Sequence, residues 1–230
     1  MHPPETSRSY LPYVQPTPHS SRLHPWSGAL SELAVYFRLG FHHIADFGAY
    51  DHMLFIAALT VAYPAPAWRR LVWLVTAFTL GHSVTLALAT LDLVRVSVRL
   101  VEVLIPVTIV LTGLAAVLVS RGEDEVHGPR GSQQPQYALA ACFGLIHGLG
   151  FSNYLRSLLG GEESIVRPLF AFNVGLELGQ LLIVAGVLLF GVLIPRLLRL
   201  SRREWVLLVS GGTIAVALTM IAERLRAPVS

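Results

Sequence analysis

Residues 71–91 read LVWLVTAFTLGHSVTLALATL, with no acidic residue and no arginine. A helix rises about 1.5 Å per residue, so a run of this length covers roughly the 30 Å of a bilayer's hydrocarbon. A helix on the surface of a soluble protein needs a charged face toward water, and none is present here. The polar positions are hydroxyls and one imidazole, His82, in the middle of the run. Four more runs have this character, at residues 100–119, 137–159, 169–194 and 205–222. A sixth, 41–62, is apolar enough to span but carries His42, His43, Asp46, Asp51 and His52. It reads as the first span, its polar face turned into the bundle. The fold expected is therefore all-α: a polytopic membrane bundle of six transmembrane helices over residues 40–223, followed by a short tail, 224–230.

Composition agrees. Of 230 residues, 53% are hydrophobic and 13% charged, where a soluble domain carries about 25% charged residues. This excludes a soluble enzyme, a disordered regulator and a nucleic-acid binder, and makes the lipid bilayer the first partner. The formal charge of +3 comes from arginines in loops and tails, for there is no lysine. The single cysteine, Cys142, cannot close an intramolecular disulfide.

Breaks between runs use ordinary loop chemistry. Pro64-Ala65-Pro66 turns the chain after the first span. Residues 121–135 form a polar loop containing Glu123-Asp124-Glu125, and Gly160-Gly161-Glu162-Glu163 ends the fourth span. Arg196, Arg199, Arg202 and Arg203 crowd the last connection, which favours the cytoplasmic side for that end and the outside for both termini. Trp68, Trp73 and Trp205 lie near span ends, where indole suits the interface. Residues 1–26 hold six prolines with His2, His19 and His24 and read as a disordered tail without a signal-peptide core. Residues 27–39 place Leu30, Leu33, Ala34 and Phe37 at helical spacing, as in an amphipathic interfacial helix.

An ionised side chain in hydrocarbon costs about 2.5–3.5 kcal/mol on insertion scales, so each one needs a reason. Five of the six runs contain at least one ionisable group. Imidazole and carboxylate together are the ligand set of Ni, Co and Zn. His52, His82 and His147, from three runs, supply a candidate three-histidine site, with Asp51, Glu102 and Glu177 completing it or orienting the rings. His43 is nine residues from His52, about 180° away on a straight helix, and reaches the same point only if the span bends near Gly48; His42 or Asp46 are alternatives. Asn173, Glu177 and Gln180 share one helix face and are candidate supporting residues, as is Ser83 beside His82. Gly175 and Gly179 form a small-xxx-small pair that lets another helix approach.

These motifs together resemble the HupE/UreJ family of small bacterial membrane proteins associated with hydrogenase and urease gene clusters. The resemblance rests on Gly-x-x-Asp-His-x-Leu-Phe at 48–55, Phe-Thr-x-x-His-Ser-x-Thr-Leu at 78–86, Val101-Glu102, Phe-Gly-Leu-x-His-Gly-Leu-Gly-Phe at 143–151 and Phe-Asn-x-Gly-x-Glu-x-Gly-Gln at 172–180. They run in order through five spans. His43 stands farther from the Asp-His pair than the family's usual first-span histidine, and Pro106 and Thr108 replace small residues and serine. The resemblance implies a nickel or cobalt permease in a bacterial cytoplasmic membrane, working beside nickel-enzyme maturation proteins, with Asp51, His52 and a first-span histidine recognising the metal. Two other readings fit the same residues: an intramembrane zinc-dependent hydrolase acting on lipid or peptide, and a membrane assembly protein without transport.

Overall fold

The computed structural model describes residues 25–46, 50–120, 134–159 and 164–226. The expected tail, the acidic loop, Gly48 and residues 160–163 lie outside the described residues. All regular structure within them is helical: α1 (Pro25–Ala45), α2 (Asp51–Val61), α3 (Trp68–Thr90), α4 (Val98–Val119), α5 (Gln134–Leu159), α6 (Val166–Leu198) and α7 (Arg202–Arg226), with a 3-10 turn, Ala65–Ala67, leading into α3. The helices α3 to α7 are each long and apolar enough to cross a membrane. Their outward faces are apolar: Leu178, Leu182, Leu189 and Leu193 lie exposed along α6, as lipid requires and water would penalise.

The sixth expected span is not one helix. Residues 41–62 divide into the end of α1 and the 11-residue α2, which at about 1.5 Å per residue covers only half a bilayer. The break falls where Asp46 and Asp51 bracket the run. Interrupted backbone inside a membrane is tolerated where it lines a cavity, because its freed polar groups then find water or a ligand. The amphipathic stretch 27–39 is likewise no separate helix; it is the body of α1, which packs along α6.

Two helix pairs, α1 with α6 and α3 with α5, form the scaffold. In both the contact is made through glycine, backbone against backbone. A methyl at Gly40 would strike the Phe172 carbonyl, and one at Gly175 the Phe37 carbonyl. In the other pair Gly81 faces the Ala141 carbonyl and Gly144 the Phe78 carbonyl. The register advances in the same sense along both helices of each pair, so the paired helices run parallel. At the end of α3, Arg156 of α5 bonds the Ala89 carbonyl and pairs with Asp92 at 2.9 Å, in keeping with that register. Asp92 has positive φ at this corner, and a hydrogen bond from Arg95 holds its carboxyl below the usual range. Packed between the pairs, α2 touches α4, α6 and α7. Trp68 and Trp73 are exposed, as interfacial indoles are, whereas Trp205 is buried against Gly191 of α6. Cys142 faces outward.

Candidate metal centre

Four helices bring one imidazole each to a common point. α1 supplies His43 in its last turn, α2 His52 in its first, α3 His82 and α5 His147 from their interiors. One ring nitrogen from each of His43, His52 and His82 lies within 4.8 Å of the others. The His147 ring is 4.9 Å from that of His52, centroid to centroid. His52, His82 and His147 are buried. The closest trio therefore contains His43, with His147 adjoining, rather than His52, His82 and His147 alone. The broken first span is what allows it: His43 and His52, which would oppose each other on one helix, have ring centroids 4.8 Å apart.

The partners of these rings settle which nitrogen faces inward. Asp51 accepts from His52 twice, at 2.8 Å from the backbone N–H and 3.0 Å from Nδ1, leaving Nε2 free. The Thr108 hydroxyl gives its one proton to the Ile105 carbonyl at 2.7 Å, so at 2.8 Å from His147 Nε2 it acts as acceptor. His147 is then protonated on Nε2 and presents the Nδ1 lone pair. Buried and without a hydrogen-bond partner are His43 Nε2, His52 Nε2, both nitrogens of His82 and His147 Nδ1. A buried polar atom left unsatisfied costs about 1–3 kcal/mol, and here several stand together. A divalent transition ion is the ligand that several neutral imidazoles satisfy at once. Metal–nitrogen bonds of about 2.0–2.1 Å would draw the donors closer than they stand.

The carboxylates divide. Asp51 orients His52, as outer partners of metal-bound imidazoles do. Glu102 is not at the centre: it pairs with Arg224 of α7 at 3.1 Å, while Arg99, one turn earlier on α4, bonds the Leu225 carbonyl at 3.4 Å. Glu177 accepts from Thr76 of α3 at 2.5 Å, and Gln180 from Thr79 at 2.7 Å. These two form a polar bridge between α3 and α6, and the Asn173 Oδ1 on the same face is buried and unpartnered. Ser83 donates to the Thr79 carbonyl of its own helix at 2.6 Å and takes no part in the centre.

A cavity of about 430 Å³ leads to the centre, lined by His43, His52 and His147 with Asp46, Asp51 and Glu102. Three carboxylates against the single arginine Arg224 give its wall an excess of negative charge. Phe151 lies against His43, 4.0 Å between centroids. His82 is fully buried and stands outside the cavity lining. Thr108, Arg224 and Phe151 were not singled out by the sequence reading; each acts by a contact between helices, which no spacing within a run reveals.

The HupE / UreJ protein family model matches residues 21–224, from just before α1 to near the end of α7. The chain belongs to the HupE/UreJ family. No curated protein and no solved structure matches it. Of the Asp-His pair at 51–52, His52 joins the imidazole cluster and Asp51 is the carboxylate that orients its ring, and the glycine-rich motif around His147 does two jobs. Gly144 and Gly148 seat α5 on α3, with Gly148 against the His82 carbonyl, while Gly150 lines the cavity.

Proposed function

We propose that this HupE/UreJ protein carries a divalent transition-metal ion, nickel or cobalt, across a bacterial cytoplasmic membrane. The observation that supports it most is the convergence of four imidazoles, three of them buried, with unpartnered nitrogens, beside a cavity lined by carboxylates. An ion shedding part of its water in that cavity meets Asp46, Asp51 and Glu102 first, and imidazole nitrogen next. The ligands come from four different helices, so the shell loosens when the helices shift, as release requires. The cargo suits a role beside nickel-enzyme maturation proteins.

The hydrolase reading has its imidazoles, but the two carboxylates it would use as base are engaged. Asp51 is engaged with His52 and Glu102 with Arg224, whereas a zinc-activated water needs an uncommitted proton acceptor beside it. The assembly-protein reading leaves the unpartnered nitrogens unexplained.

The test is flux of nickel into proteoliposomes holding the purified chain. Uptake that disappears in both His52→Ala and His147→Ala supports transport. Zinc retained at one ion per chain, with no flux of any divalent ion, contradicts it and favours the enzyme.

A further inference from the structure

The helices α2, α4 and α5 each line two cavities, one at either end. The large polar cavity takes Asp51 and His52 of α2, Glu102 to Pro106 of α4 and His147 onward in α5. A second, of about 90 Å³, takes Phe55, Ala58 and Leu59 of α2 with Tyr63 just beyond it, Thr112 and Val119 of α4, and Gln136 and Phe143 of α5. The partition between them is one aromatic layer thick. Phe55 lines the small pocket and its ring centroid is 5.2 Å from that of His147, which lines the large one. Phe78 stands 4.8 Å from Phe55 and 5.2 Å from His147, and Phe143 is 6.0 Å from Phe55. All three phenylalanines are buried.

We propose that Phe55, Phe78 and Phe143 are the closed gate of the metal path, and that the small pocket behind them is the exit route in its collapsed form. This rests on the transport reading above. Along α4 the route already carries oxygen. Thr108 meets His147, Thr112 donates to the Thr108 carbonyl at 2.7 Å and lines the pocket, and Tyr63 donates to Gln136 at 3.3 Å farther along it. Such groups replace the water of a passing cation, where an all-apolar wall would not. α4 also carries Pro106 within the helix on the large-cavity side, which removes one helical hydrogen bond and permits a bend there.

Arg202, from the connection after α6, donates to the Val61 carbonyl at 2.8 Å, so the small pocket lies at that end of the bundle. The large cavity, with Arg224 in its wall, opens at the opposite end, and the gate closes one off from the other.

The experiment uses the full chain in liposomes, with Cys142→Ser removing the native thiol. Reporter thiols are Tyr154→Cys in the large cavity and Thr112→Cys in the small one, probed with a membrane-impermeant charged methanethiosulfonate from each side. With Phe55 intact, Tyr154→Cys labels from the large-cavity side and Thr112→Cys does not. In Phe55→Ala, Thr112→Cys labels from that side too, and downhill nickel flux rises about tenfold as the open form gains population. Phe143→Ala opens the same wall from α5 and serves if Phe55→Ala does not fold, Tyr154→Cys labelling being the control. Labelling of Thr112→Cys through an intact gate, or none in a folded gate variant, overturns the proposal. Nickel flux in the parent chain with that negative labelling removes the gate and leaves transport standing. The expected labelling without flux in any variant leaves a partition at these residues and removes transport, and with it their role as a metal gate.

Discussion

The two glycine-seamed pairs, α1 with α6 and α3 with α5, are built alike and used differently. The seam repeats almost position for position: Phe37 and Gly40 against Gly175 and Gly179 in one, Phe78 and Gly81 against Gly144 and Gly148 in the other. Yet α1 and α6 contribute one imidazole, His43, while α3 and α5 contribute two, His82 and His147. At the position that His82 takes in its seam, beside Gly148, the other pair has Phe41 beside Gly179. The scaffold needs small residues at fixed places; the chemistry sits at neighbouring positions and varies independently of it. Glycine seams of this kind hold each pair rigid, since little side-chain surface lies between the backbones to slip. Between the pairs the contacts are softer and include the stacking of His82 on Phe172 and the polar bridges of Thr76 with Glu177 and Thr79 with Gln180.

That comparison breaks most visibly at the seams. Gly144→Val or Gly175→Val forces a side chain into a facing backbone carbonyl, and the loss is expected to exceed about 3 kcal/mol, the upper range of core overpacking. Both variants should fail to give a monodisperse protein in detergent by size-exclusion chromatography. Gly211→Ala and Gly212→Ala meet nothing within 4 Å and should raise thermal stability by about 0.5–1 kcal/mol through helix propensity. Equal damage from all four substitutions would show that the seams are not special.

Next in size are the ligands. His82→Ala and His52→Ala leave the fold intact and should weaken nickel binding by more than about a hundredfold in isothermal titration, beyond the 10–100-fold expected of an outer-shell loss. His43→Ala tests whether the α1–α6 pair shares the centre, and an unchanged affinity would confine the site to α2, α3 and α5. Smaller again is the effect of the orienting groups. Asp51→Asn and Thr108→Val keep every ligand but release a ring, and about tenfold weaker binding is expected of each. Thr108→Val without effect would mean that His147 is a bystander.

The scaffold was largely legible in the sequence, because crossing a bilayer imposes a length of apolar chain that the runs from 71 to 222 display directly. The first span was not. Its apolarity suggested one helix over residues 41–62, whereas the polar residues crowding Asp46 to His52 divide it, and the division is what unites His43 with His52. The histidines themselves stood out because imidazole in hydrocarbon demands a reason. Their carboxylate partners did not sort correctly: Asp51 acts on its neighbour in sequence, but Glu102 finds Arg224 and Glu177 finds Thr76 across the bundle. Such pairings depend on which helices adjoin, and periodicity along one helix carries no record of that. Trp205 is misread for the same reason, since only the packing of α7 on α6 buries it.

The central claim is that the four imidazoles bind one divalent ion together. X-ray absorption spectroscopy of the purified, nickel-loaded chain addresses it directly. One nickel per chain is expected, with a first shell of nitrogen and oxygen and the multiple-scattering signature of at least three imidazoles, reduced by one in His82→Ala. A chain that takes up no nickel, or nickel whose shell shows no imidazole and is unchanged in His82→Ala, would contradict it.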